Sequence, residues 1–291
     1  MVEHHYVYTG EDLPPRGATH VSIDKSITAI PSELFWEHPN IMELICHIGV
    51  KKIQRQAFEN CPRLKRLVIP GVEEVEEDAF CACKAIEHVE CDRLKIIRRL
   101  AFSDCESLNS IDLPSAMIVE EGAFAYCEAL IDVTFGKNLE SIDENAFSHT
   151  CLYQITIPLK NGLFTHDDVF MGSEDLDQVR LIEEAIIHET VEALVLDEWK
   201  SDMNEEIESI NQTLPSAYAR GFEYCIGDEN GGEKTRVVRD WIGRVLRKII
   251  YYKVEYYRLL SLAAAALAHV SLNEIVIDSV FSFLELPDHK F

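Results

Sequence analysis

An Ala-Phe dipeptide recurs at a fixed interval along the chain: Ala57-Phe58, Ala79-Phe80, Ala101-Phe102, Ala123-Phe124 and Ala146-Phe147. Leu34-Phe35 precedes the series and Val169-Phe170 follows it, so successive phenylalanines lie 23, 22, 22, 22, 23 and 23 residues apart. A unit of this length is too short to enclose a core alone. Repeated at a constant period, it buries its apolar side only against the units before and after it, which is the logic of a solenoid. The functional question then moves from a single active site to what the stacked surface binds.

Counted from each Phe, the remaining apolar residues fall into columns. Five positions before it stand Ile30, Ile53, Val75, Ile97, Val119 and Ile142, with Thr165 as the polar exception. Six after it stand Ile41, Leu64, Ile86, Leu108, Leu130 and Leu176; nine after it Leu44, Leu67, Val89, Ile111, Val133 and Val179. Eleven after it stand Cys46, Ile69, Cys91, Leu113, Phe135 and Leu181. The repeat after Phe147 is one residue short and places Leu152, Ile155 and Ile157 in these columns. The alternation at the end of each unit, as in Leu67-Val68-Ile69, predicts a short strand, and a following Pro70, Pro114 or Pro158 ends its pairing. One such strand per repeat stacks into a parallel sheet. The Phe segment predicts a tight turn or a single helical turn.

Three residues after Phe a cysteine recurs: Cys61, Cys83, Cys105 and Cys127. Small thiols in a repeating core column act as compact apolar residues and weak hydrogen-bonding groups. Cys81-x-Cys83 lacks the second paired half that a zinc site needs, so no metal is expected there.

This pattern resembles the leucine-rich repeat class of the BspA type. The segment Ala101-Phe102-Ser103-Asp104-Cys105-Glu106-Ser107-Leu108-Asn109-Ser110-Ile111-Asp112-Leu113-Pro114 matches that class throughout. The stretch from Thr19 to Phe35 resembles a first, capping repeat, and the C-terminal part resembles the helical tail of some algal members. The resemblance implies an α/β solenoid: a right-handed leucine-rich repeat superhelix with one short parallel strand per repeat, followed by a C-terminal α-helical region. It also implies protein or ligand binding without enzymatic activity. The expected organisation is an N-terminal segment over 1–18, the solenoid over 19–197 and the helical region over 198–291.

The formal net charge is −24. Such acidity disfavours nucleic acid and anionic membrane as partners of the bulk surface and suits a basic protein. Nine cysteines, several in core columns, fit a reducing compartment better than a disulfide-stapled domain. No signal-peptide pattern is visible at the N-terminus. The most apolar stretch, Leu259 to Val270, falls short of the roughly 20 residues a membrane span needs. The expected location is therefore cytoplasmic.

Val191 to Leu196 is the last strand-like run, and the apolar period then becomes helical. A short amphipathic helix is predicted over 202–213, a polar, glycine-rich loop over 215–233 and a long helix from Glu233. Along that helix Val238, Trp241, Val245, Ile249, Tyr252, Tyr256, Leu259, Ala263, Ala266 and Val270 form one stripe at steps of 3 or 4. Residues 234–258 carry eight basic and two acidic side chains among four tyrosines, a composition suited to docking on the chain's own acidic surface or to a calmodulin-like or nucleic-acid contact. Ser271-Leu272-Asn273-Glu274 reads as a capping box that opens a final helix before Pro287. The helices are expected to close the end of the solenoid, which otherwise exposes an apolar face and an open edge.

Signatures of catalysis are missing. His188-Glu189 lacks the second His of a zinc-protease motif, because Glu192 stands there. Asp228, Asn230 and Gly231 do not make a calcium loop, because Arg239 occupies the twelfth position. Asn211-Gln212-Thr213 fits a glycosylation acceptor only formally. No cofactor is expected. The favoured function is a protein-interaction scaffold that uses the outward side chains of the stacked strands. On that face Glu87, Glu90, Asp112 and Asp132 lie beside Ile131 and Tyr153, a set suited to a basic or amphipathic segment. The alternatives are a regulatory or enzyme-associated subunit acting through the C-terminal helices, and a cell-surface adhesion protein.

Overall fold

The computed structural model describes residues 4–182, 194, 196–214 and 231–268. The strand-like run at 191–193 and 195, the loop at 215–230, the His188-Glu189 pair and the helix expected from Ser271 lie outside the described residues. The chain forms two compact units, residues 1–183 with 209–242 and residues 184–208 with 243–291.

In the first unit the repeats stack as parallel turns. One face carries β1 (His5–Tyr8), β2 (His20–Ile23), β4 (Glu43–Ile45), β6 (Arg66–Val68) and β8 (His88–Glu90), followed by β10 (Ser110–Leu113), β12 (Asp132–Phe135), β14 (Gln154–Ile157) and β15 (Gln178–Leu181). β10 stops before Pro114 and β14 before Pro158, where the missing N–H ends the ladder. β1 comes from the N-terminal segment and pairs in parallel with β2.

To the single strand expected per repeat, the structure adds a second of two residues. These strands are β3 (Ala29–Ile30), β5 (Lys52–Ile53), β7 (Glu74–Val75), β9 (Ile96–Ile97), β11 (Ile118–Val119) and β13 (Ser141–Ile142), and they form one continuous sheet. Their second residue is the β-branched column five before Phe, buried in every turn. Two residues are too few for a period to show in sequence, yet in-register stacking pairs them.

The Phe segments form turns, and their backbone makes a third ladder. Gln56, Phe58 and Asn60 donate N–H to Glu77, Ala79 and Cys81 of the next turn at 3.0, 2.8 and 2.8 Å. Residues two before and two after Phe adopt left-handed φ, including Leu100 (54°), Tyr126 (60°) and His149 (53°). That conformation is costly for a side chain. The cost is offset because alternate N–H groups then point along the stack and find carbonyls.

Seven phenylalanines stack along the interior. Phe35, Phe58, Phe80, Phe102, Phe124, Phe147 and Phe170 have successive centroid separations of 4.6, 5.3, 5.2, 5.4, 5.4 and 6.0 Å. Beside them the cysteine column is fully buried. Cys61, Cys83, Cys105 and Cys127 donate their thiols to the carbonyls of Phe35, Phe58, Phe80 and Phe102 at 3.1, 3.0, 3.4 and 3.1 Å. Each thiol therefore satisfies a buried oxygen of the preceding turn while filling an apolar gap. Thr150 and Ser173 continue the column, and both donate to the Phe147 carbonyl.

The far end of the stack is closed within this unit by residues from α1 (Asp197–Thr213) and α2 (Gly231–Ala268). The amide of Val179 donates to Oδ1 of Asn211 at 2.9 Å, so this Asn is spent on the sheet edge. Buried Lys234 donates to the carbonyls of Glu174 and Leu176. Arg239 reaches the carbonyls of Phe164 and His166 and the Asp167 carboxylate. These donors bond backbone oxygens of the last described turns. α1 begins at Asp197, five residues before the start predicted at 202. Asp197 and Glu198 in its first turn favour helix there by complementing the N-terminal dipole.

In the second unit the basic side chains of α2 meet carboxylates of α1. Arg244 donates to Glu206 at 2.8 Å, and Lys248 pairs with Asp202 and Glu206 at 2.9 and 3.1 Å. Tyr252 donates to Asp202 and packs against Trp199 at 5.0 Å. The hydrogen bonds from Tyr252 and Lys248 hold the Asp202 carboxyl below the usual carboxylate range.

Candidate partner-binding face

The outward strand residues form three ladders that run along the stack. Parallel register places Asp132 between Ser110 and Gln154, and Arg66 between Glu43 and His88. Tyr153 donates its amide to the carbonyl of Ile131 at 3.0 Å, so these two exposed side chains occupy the same position on adjacent turns.

The six residues singled out from the sequence separate into two groups. Glu87 pairs with Lys65 at 2.9 Å, and Glu90 pairs with Arg66 at 2.7 Å; Arg66 also holds Glu43 at 2.8 Å. The hydrogen bond from Lys65 lowers the pKa of Glu87, and Glu90, then Glu43, raise that of Arg66. Three carboxylates at the β4–β6–β8 end thus share two cations, which offsets most of the acidic surplus there. Exposed pairs of this kind contribute little to stability, but they leave less charge for a partner. Asp112 and Asp132 differ: neither has a cationic partner among the described residues, and Asp132 accepts only from Gln154 at 3.1 Å among the side chains around it. Beside them Ile131 and Tyr153 are 44 % and 49 % exposed. The second sheet contrasts with this region, because basic and acidic turns alternate there and pair across the stack, with Glu74 and Glu120 flanking Arg98 at 2.8 and 2.6 Å.

The sequence did not reveal a break in the strand face. Pairing runs from β1 to β8 and again from β10 to β15, but β8 and β10 belong to separate sheets. A shallow concavity of about 310 Å³ lies at the break, lined by Arg66, His88, Val89, Glu90, Ser110 and Asp112. Val89 is only half-buried there, whereas its column mates Leu67 and Ile111 are buried. Nothing in the residue type of Val89 signals this, since Val fills the same column again at Val133. The concavity brings Glu90 and Asp112 together and leaves Ile131 and Tyr153 on the turns beyond.

One polar cluster outside this face has catalytic residue types. Asp143 accepts from Thr165 Oγ1 at 2.5 Å and from His166 Nδ1 at 2.9 Å. Thr165 Oγ1 also lies 3.1 Å from His166 Nδ1, so a single ring nitrogen faces both the hydroxyl and the carboxylate. A nucleophilic triad uses the two ring nitrogens separately, one on the nucleophile and one on the orienting carboxylate, so this group lacks its relay. Burial pushes the thiols of Cys46, Cys81 and Cys91 up to about 12, which makes them poor nucleophiles at neutral pH. Among the described residues no cluster of His, Cys, Asp or Glu could hold a metal ion, and no helix is long and apolar enough to cross a membrane.

A family model described as BspA type leucine rich repeat region (6 copies) matches the chain over residues 17–87 and 51–177. A leucine rich cell surface protein from Faecalibacterium prausnitzii is similar over 56 % of this chain at 27 % identity, with a TM-score of 0.40. The match spans 39 % of that protein's length. The T. pallidum leucine rich repeat protein matches over 57 % of this chain and 70 % of its own, at 20 % identity and a TM-score of 0.41. The pneumococcal vaccine antigen PcpA matches over 58 % of this chain and 41 % of its own, at 20 % identity and a TM-score of 0.38. No curated protein sequence matches this chain closely.

Proposed function

The chain belongs to the BspA-type leucine-rich repeat family, and we propose that it is a non-enzymatic scaffold that binds a protein through the outward strand face of its repeats. One observation carries this reading: Ile131 and Tyr153, 44 % and 49 % exposed on adjacent turns, stand beside Asp112 and Asp132, whose charge no described cation neutralises. An aromatic anchor gives affinity where it is desolvated, and uncompensated carboxylates steer an oppositely charged partner. The partner is therefore a basic or amphipathic protein segment. A reducing, cytoplasmic location is part of the same proposal, supported by eight free cysteines among the described residues, of which six are buried.

The test compares the wild-type chain with Tyr153→Ala and with Asp112→Lys/Asp132→Lys against a partner recovered by cross-linking. Tyr153→Ala is expected to weaken binding by about 2 kcal/mol or more, roughly thirtyfold. The charge reversal is expected to slow association and flatten its salt dependence. Neither Tyr153→Ala nor Asp112→Lys alone should move the melting temperature by more than a degree or two, because both side chains are exposed and surface substitutions stay within about 0.5 kcal/mol. A partner that binds both variants as it binds the wild type sinks the proposal.

A further inference from the structure

Glu90 and Asp112 stand 22 residues apart, the step that sets Val68 beside Glu90 and Asp112 beside Thr134 in the paired strands. Between β8 and β10 the same step brings two carboxylates to one ladder position on adjacent turns. Like charges directly opposite destabilise a strand pair, and this is the junction at which pairing stops. At the two preceding junctions a backbone amide bonds across: Cys46 donates to the Val68 carbonyl at 2.8 Å and Ile69 to that of Glu90 at 2.9 Å. At the break the Asp112 carbonyl is met by the thiol of Cys91, at 3.5 Å.

Elsewhere the chain places an arginine between carboxylates of the turns on either side. Arg66 holds Glu43 and Glu90, Arg98 holds Glu74 and Glu120, and Arg99 holds Glu77 and Glu121. A planar guanidinium presents donors in two directions, so one side chain can serve two carboxylates. Glu90 and Asp112 have the facing carboxylates of such a bridge without an arginine of their own turn between them. Glu90 shares Arg66 with Glu43, and Asp112 has no cationic partner among the described residues. Glu43, Glu90 and Asp112 thus set three negative charges against the one positive charge of Arg66. The concavity of about 310 Å³ at the break opens between these groups. Half-buried Val89 lines it with an apolar surface for an aliphatic stem, and the Ser110 hydroxyl adds an uncharged acceptor.

We propose that the concavity between β8 and β10 takes an arginine side chain of the partner segment, its guanidinium bridging Glu90 and Asp112 and its stem lying on Val89. This rests on the strand face being the partner-binding surface, and it names the side chain that the face reads. The bound guanidinium cancels the repulsion that holds the two half-sheets apart, so binding tightens the junction. The test is amide exchange of the full chain over His88–Glu90 and Ser110–Leu113, with and without a blocked tripeptide carrying a central arginine. Exchange there should slow several-fold with the arginine peptide and stay unchanged with its citrulline counterpart, which keeps the shape and lacks the charge. Asp112→Asn should slow the same amides without any peptide, because it removes the repulsion, and should abolish the response to arginine. Equal protection by citrulline, or a response to arginine that survives Asp112→Asn, overturns the proposal. The cross-linked partner separates this failure from that of the strand face. If Tyr153→Ala weakens its binding and Asp112→Asn does not, the concavity is not its arginine site while the face stands. If neither variant weakens it, both readings fall.

Discussion

Replacing Phe102 by Ala is expected to destabilise the protein by about 3–5 kcal/mol, the range for truncating a fully buried aromatic ring. For a chain of this size that lowers the melting temperature by roughly 6–20 °C. Phe102 is completely buried between Phe80 and Phe124, with centroids at 5.2 and 5.4 Å. Truncation opens a cavity between two turns and removes two ring contacts at once. The backbone cannot collapse into it, because Phe102 N–H is tied to the carbonyl of Ala123 at 2.8 Å and its own carbonyl accepts from Cys127. Thermal unfolding of this variant beside Tyr153→Ala separates core from surface. A melting temperature unchanged by Phe102→Ala would show that the ring column does not hold the turns together.

The second large effect is expected at the closed end. Trp241 is fully buried and lies in the part of α2 that belongs to the first unit. Trp241→Ala should cost about 3–5 kcal/mol by the same cavity argument. Its distribution along the chain is the distinguishing feature. In a stack each turn is stabilised by its neighbours, so loss of a terminal cover loosens the adjacent turns first. Amide exchange should therefore accelerate most in β14 and β15 and least in β2 and β4. Uniform acceleration across all turns would mean that the helical segment does not act as an end closure.

The stacked columns were legible in the sequence because each inward position repeats the same demand: 22 or 23 residues later the same gap must be filled. Two inward features were not. Val50, Val72, Leu94, Ala116 and Leu139 form a further buried column eight residues before Phe, hidden by its varied side-chain size. Thr165 looked like a polar gap in the column five before Phe, but it is exposed. Phe164, one residue earlier, bridges to Ile142 and fills the core instead. The left-handed turn positions were also silent, since Leu100, Tyr126 and Ala82 adopt them as readily as Gly122 when the ladder requires it. On the outward face, residue type identified Asp112, Asp132, Ile131 and Tyr153. It could not show that Lys65 and Arg66 reach across a turn to neutralise Glu87 and Glu90, which depends on side-chain geometry between repeats.

That a single unbroken core runs under the outward face is tested most directly by thiol labelling of the native protein. Cys61, Cys83, Cys105 and Cys127 sit in that core, each bonded to the carbonyl of an earlier Phe. Burial raises the thiols of Cys83 and Cys105 well above their ordinary value, so these two lack both access and thiolate. With a maleimide followed by mass spectrometry, Cys151, which is exposed, should label at once. The four column cysteines should stay unmodified until denaturant unfolds the first unit, and then react together. Rapid modification of any of the four under native conditions would contradict the stacked core.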